Sequence, residues 1–233
     1  MRKLFFSLIF CLSQAYALNL GEMRTQIRET LKDTGPSSAE YYWSDTALNS
    51  KVNIIQNQIV SQGRFILGKY STYTVLNQRE YALPSDCLTL EKVSFWISPS
   101  TTAFKRLQYK SIDDLDAENV NWQKQSAGQP LYYYQRGNKI GLSPVCSVTY
   151  STTSISLVFE YIKQPDTLSS DTDVPFDEYP QLVSFHQLIV MGVVQLCSGG
   201  QTADYFALIQ KQITELEKNP DFYWNKRLYP RQQ

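Results

Sequence analysis

The hydrophobic period changes twice along this chain. Leu20, Met23, Ile27 and Leu31 fall on one helical face, and Leu48, Val52, Ile55 and Ile59 do the same up to about Gly63. From about residue 65 the spacing becomes alternate. Val93, Phe95 and Ile97 share one side of a strand, and Ile155, Leu157 and Phe159 stand opposite Ser156, Val158 and Glu160. Helical spacing then returns twice, at Leu182, Phe185, Leu188, Ile189 and Val193 and at Tyr205, Leu208, Ile209, Ile213 and Leu216. A stripe of one period cannot settle as the other element. The fold class is therefore α+β. Neither helix pair can bury its stripe alone, so the N- and C-terminal pairs are expected to close one four-helix bundle, with an antiparallel β domain inserted. The segments are 1–17, a leader or N-terminal extension; 18–64, the first two helices; 65–165, the β insertion with a short helix; 166–219, the last two helices; and 220–233, a tail.

Local signals sharpen this plan. Gly35-Pro36 stops the first helix, Ser44 caps the second beside Asp45, and the short loop between them predicts an antiparallel pair. Tyr70–Val75 and Arg79–Leu83 flank Leu76-Asn77-Gln78, a tight connection between strands. "PLYYYQRGNKIGLSP" reads as a hairpin turning at Gly137-Asn138. Ser111 and Asp114 cap a short helix, and Ser198-Gly199-Gly200 ends the third long one. In "REYALPSDCLTLEKVSFW", Pro84, Ser85 and Asp86 interrupt a strand. Proline lacks the ladder N–H, so this corner is expected to turn one strand out of a hairpin and into the next sheet edge.

"MRKLFFSLIFCLSQAYA" has a charged start at Arg2 and Lys3, a short apolar core and a small-x-small site at Ala15-Tyr16-Ala17, which predicts cleavage after Ala17. No later segment has eighteen consecutive apolar residues. Cys87, Cys146 and Cys197 would remain, an odd set that allows one disulfide at most and reads better as small buried apolar groups.

Chemistry is sparse. The 22 basic and 22 acidic residues cancel, which argues against a dedicated nucleic-acid binder. His186 is the single histidine and lies within a helix pattern, so it is expected at a core edge or interface rather than in catalysis. Asp113, Asp114, Asp116 and Glu118 form one acidic cluster; Asp166, Asp171, Asp173, Asp177 and Glu178 form another. Neither has the glycine and terminal glutamate of a calcium loop, and solvated loops are the better reading. No cofactor, metal or catalytic residue is expected. Adjacent rings are more distinctive: Tyr41-Tyr42-Trp43, Tyr132-Tyr133-Tyr134 and Phe222-Tyr223-Trp224. They read equally as sheet packing and as interface anchors.

"LGEMRTQIRETLKD", "WSDTALNSKVNIIQNQI", "REYALPSDCLTLEKV", "GQPLYYYQRGNKIGLSP" and "DVPFDEYPQLVSFHQLIVMG" follow one another in this order. Together they resemble the head–tail adaptor (connector) proteins of tailed bacteriophages, and the plan is similar to the tubular adaptor of short-tailed phages. The resemblance implies a non-enzymatic virion protein. Copies would form a ring, a dodecamer by analogy, between the portal protein and the next component, a tail tube or nozzle or a head-completion protein, with genomic DNA only passing through the channel. It implies portal contacts from Phe222, Tyr223, Trp224, Lys226, Arg227, Tyr229 and Arg231. Tyr41, Tyr42, Tyr132, Tyr133 and Tyr134 are the candidates for tail-side or neighbour contacts. Assembly would occur in the host cytoplasm. A working export signal would instead give a periplasmic or secreted structural or adhesion protein of the cell envelope, the first alternative; the second is a small enzyme working through the carboxylate clusters.

Overall fold

The computed structural model describes residues 17–35, 40–96, 104–147, 157–199 and 202–218. Among them are helices α1 (Leu20–Leu31), α2 (Asp45–Gly63), α3 (Ile112–Glu118), α4 (His186–Ser198) and α5 (Thr202–Glu217). The strands are β1 (Leu67–Thr72), β2 (Glu80–Ala82), β3 (Cys87–Trp96), β4 (Phe104–Arg106), β5 (Gln108–Tyr109), β6 (Tyr132–Arg136), β7 (Lys139–Ser143) and β8 (Leu157–Lys163). The protein is therefore α+β, with two compact units. One takes the chain up to Gln56 together with Asp166–Gln212; the other takes Asn57–Pro165 and the chain from Ile213.

The first unit joins sequence-distant ends. α1 starts on a capping box, in which Asn19 Oδ1 accepts the Glu22 N–H and Glu22 Oε2 accepts the Asn19 N–H. The next two N–H groups, of Leu20 and Gly21, donate to the carbonyls of Asp173 and Asp171 at 2.8 and 3.0 Å. The open donors of the helix start are thus met by a loop from the far end of the chain. Lys32, at φ 56, ends α1 in the left-handed conformation ahead of the expected Gly35-Pro36 stop. α1 packs on α4. Leu20, Met23 and Ile27, then Leu48, Val52 and Ile55, then Leu182, Phe185, Ile189 and Val193 are all buried. Each side chain so buried contributes about 1.5–3 kcal/mol. Pro180–Ser198 is long and apolar enough to cross a membrane by length and composition, but four of its apolar residues are these core side chains.

A polar seam accompanies the apolar one. Asn53 of α2 donates to the Leu168 carbonyl at 2.9 Å and accepts the Leu168 N–H at 2.9 Å, while Gln56 donates to the Asp166 carbonyl at 2.9 Å. The start of the 166–212 segment is thereby pinned to α2 along its backbone.

The second unit holds two four-stranded sheets, ordered β1-β8-β3-β4 and β2-β7-β6-β5. Their facing residues share one core: Val93, Phe95, Leu157, Phe159 and Tyr161 from the first sheet with Tyr81, Tyr133, Ile140 and Leu142 from the second. β8 is buried on both faces, since Val158 and Ile162 are enclosed as fully as Leu157 and Phe159. The expected tight pairing of Tyr70–Val75 with Arg79–Leu83 does not form. A turn is present, with the Gln78 N–H on the Val75 carbonyl at 3.1 Å, yet β1 pairs with β8 and β2 with β7. Tyr70 stacks on Phe159, at 5.8 Å between centroids, so apolar packing against a distant strand outweighs the local turn. Nor is the insertion wholly antiparallel, because β5 runs parallel to β6.

The hairpin of β6 and β7 forms as expected, with Arg136 opposite Lys139 and Gly137 at φ 60. The corner changes sheets, but not as expected. Pro84–Asp86 takes the chain from β2, which pairs with β7 rather than in a hairpin with the preceding segment, to β3, which lies between β8 and β4 inside the other sheet rather than at its edge. The Gln164 N–H donates to the Asp86 carbonyl at 2.7 Å.

Close glycine–tyrosine contacts recur in both units. The Tyr161 ring covers its cross-strand partner Gly68, and Tyr134 covers its partner Gly141. A Cβ on these glycines would lie 2.4 and 2.0 Å from ring carbons. Between helices, Tyr205 of α5 and Ile55 of α2 approach Gly192 of α4 in the same way.

Candidate assembly surface

The segment between α1 and α2 is built from charge. Arg28 is almost wholly enclosed; it donates to Asp33 Oδ2 at 2.9 Å and to Asp45 Oδ1 at 2.6 Å, and its guanidinium sits 3.9 Å from the centroid of the Tyr41 ring. Asp33 is equally enclosed, with a side chain only 8% exposed. Its two oxygens also accept the N–H groups of Tyr42 and Trp43, at 2.7 and 3.1 Å. Lys51 lies 4.8 Å from the centroid of the Trp43 ring. Arg24 bridges Asp45 and Asp171, tying this end to the same loop that caps α1. Ser44 accepts the Ala47 N–H at 3.2 Å, as its capping position predicts.

One ring escapes this network. Tyr42 is 83% exposed, packed edge-on against Trp43 at 5.2 Å. Tyr41 and Trp43 face cations while Tyr42 projects from a backbone that Asp33 fixes by two hydrogen bonds. A large amphipathic side chain held in this way loses little freedom when it binds.

The SU10 adaptor protein family matches residues 18–231. The chain belongs to that family. It is thus a tailed-phage structural adaptor, a component of the virion that contacts other head and tail components. No curated protein matches it.

The adaptor's other sequence-chosen residues fall in different places. Tyr133 and Tyr134 are buried and Tyr132 is half-buried. Tyr133 enters the core between the sheets. Tyr134 packs edge-on to Trp122 at 5.3 Å on the opposite face, with Leu115 of α3. Alternate rings do face opposite sides, but α3 and the turn at Trp122–Lys124 cover the second side. Burial raises the hydroxyl pKa of Tyr133 and Tyr134. Among the described residues of this unit the exposed aromatics are Tyr70, Tyr73 and, most of all, Tyr109. Phe222, Tyr223, Trp224, Lys226, Arg227, Tyr229 and Arg231 lie outside the described residues. Ala17 is exposed, and the Leu18 N–H after it donates to His186 Nδ1.

The acidic clusters do structural work. Asp114 closes the capping box of α3 with Ser111, whose hydroxyl and N–H hold its pKa down. Asp116 accepts the Trp122 indole N–H at 2.7 Å, and Glu118 pairs with Lys110. Asp173 accepts the N–H groups of Ser169 and Ser170, which lower its pKa, and Asp171 pairs with Arg24. Among the described residues no three His, Cys, Asp or Glu side chains gather as metal ligands would. Cys87, Cys146 and Cys197 form no disulfide with one another. Cys146 lies in the β core, and burial pushes Cys87 up to about 11, which makes the Cys87 thiol a poor nucleophile.

Sequence reasoning missed the Arg28–Asp33–Asp45 cluster. Its members sit on three local elements, and nothing in their spacing distinguishes them from surface charges. The Asn53–Gln56 seam did carry a signal, since Asn49, Asn53 and Gln56 recur at helical spacing beside the apolar stripe.

Proposed function

We propose that this adaptor forms a ring between the portal protein and the next tail component, a tail tube or nozzle or a head-completion protein, and so lengthens the channel through which genomic DNA passes. The family match over residues 18–231 carries this reading. The role is structural, without catalysis, and the virion is the site of action. In this reading the N- and C-terminal helix pairs close a four-helix bundle, the β insertion faces neighbours or the tail side, and Phe222 to Arg231 dock on the portal. The zero net charge accords with DNA that passes without being gripped. Tyr42, rigidly presented, is the contact candidate best supported by its exposure.

Negative-stain imaging of the purified protein mixed with a portal ring tests the proposal. Rings, or added density capping the portal, are the expected result; persistent monomers that leave the portal bare would overturn it. Recovery of the chain from the periplasm with Leu18 at its N-terminus would move the assignment to the exported alternative.

A further inference from the structure

His186 joins three segments that are far apart in sequence. It opens α4 and is 1% exposed. Its Nδ1 accepts the Leu18 N–H at 2.9 Å, and its Nε2 lies 2.8 Å from the Pro175 carbonyl. A carbonyl can only accept, so Nε2 carries the proton and Nδ1 is the bare acceptor. Both nitrogens of the neutral ring are therefore used, and only one tautomer satisfies both partners.

We propose that His186 is an acid-released latch that couples the start of α1 and the 171–175 loop to α4. Protonation places a hydrogen on Nδ1, directly opposed to the Leu18 N–H. It also places a positive charge in the interior of the unit, where no water can solvate it. The charged ring can be accommodated only if Leu18 moves away.

The described charged groups of the 171–177 loop and of the start of α1 are engaged elsewhere. On the loop, Asp171 pairs with Arg24 and Asp173 is occupied by the Ser169 and Ser170 N–H groups. Beyond it, Asp177 accepts the Glu178 N–H. On α1, Glu22 holds the Asn19 N–H and Arg24 faces Asp45 and Asp171. α4 itself has no acidic or basic residue after His186. Burial accordingly lowers the imidazole pKa from its ordinary 6.5.

Opening at Leu18 propagates, because Leu20 and Gly21 donate to the carbonyls of Asp173 and Asp171 on the same loop that Pro175 ends. The latch is thus a short cooperative unit, distinct from the β core.

Native-state hydrogen exchange at pH 7 and pH 5, expressed as protection relative to the unstructured chain, tests it. In the uncleaved wild-type chain, with Ala17 in place, the Leu18, Leu20 and Gly21 amides should lose about tenfold in protection at the lower pH while Val93 and Phe159 hold theirs. His186→Gln keeps an acceptor and a donor but no titration, so its protection should not depend on pH. Equal pH dependence in both proteins, or a loss shared by the β core, overturns the proposal. Should the variant fail to fold, the wild-type imidazole titration followed by NMR decides. A midpoint at or above 6.5, or one that does not coincide with the loss at Leu18, overturns it as well.

Discussion

Tyr161 donates its hydroxyl to Asp86 Oδ1 at 3.0 Å, so the strand buried on both faces holds the corner between the two sheets. The same ring lies across Gly68. Burial and this hydrogen bond to a carboxylate raise the Tyr161 pKa well above that of a free phenol. Tyr161→Phe should cost about 1–2 kcal/mol in urea unfolding, and a double-mutant cycle with Asp86→Ala should show a coupling of at least about 0.5 kcal/mol. Additive effects would mean that the corner stands without this bond.

Gly141→Ala should be more costly than an ordinary strand substitution. The added methyl must displace the Tyr134 ring, itself fixed by Trp122, and overpacking of this kind costs about 1–3 kcal/mol. Pairing it with Tyr134→Ala should recover part of the loss, which denaturant melts of the single and double variants would read.

Asp33→Ala should destabilise the first unit by about 3 kcal/mol or more. The substitution strips a buried partner from Arg28 and two acceptors from the Tyr42 and Trp43 backbone. Tyr42→Ala should leave stability within about 0.5 kcal/mol, since its ring is largely in water. In the portal-mixing assay the same variant should lower assembly. Normal assembly would remove Tyr42 from the contact surface.

Acid should weaken the fold through His186. A histidine held neutral, with its pKa below 6.5, contributes stability that is complete above that value and lost as pH falls through the folded pKa. Asp114 and Asp173, whose pKa values are lowered, act with the same sign further into acid. Urea midpoints should therefore drop between about pH 7 and 5 in the wild type and much less in His186→Gln.

Periodicity made the element types legible, because burial on one face imposes it. The switch from Ile59 to Val93 marked where helix gives way to strand, and Pro84 marked the sheet change because proline cannot continue a ladder. Pairing was less legible. Tyr70 sits beside a good turn yet stacks on Phe159, and no local pattern encodes a partner so far away. Tyr132-Tyr133-Tyr134 read equally as sheet packing and as interface anchors for a related reason. Alternation fixes which way a ring points, but whether that side meets water depends on α3, which lies on it. His186 was legible as a residue of a core edge or interface, whereas its full burial and its two partners, at Leu18 and Pro175, emerge only from the folded backbone.

The β1–β8 ladder sets Leu67 opposite Ile162, so the first strand of the insertion waits for the last. Loop-closure entropy must be met across almost the entire insertion before that ladder yields any stabilisation, which makes its formation slow relative to the helices. On the ribosome, β1 would emerge with its natural partner still unsynthesised, leaving Tyr70 and the Leu67–Thr72 edge open to the nascent chains of neighbouring copies. An excess of this adaptor made at high temperature should therefore be lost to aggregation through the sheet unit, and co-expression of a chaperone that shields strand edges should restore the yield.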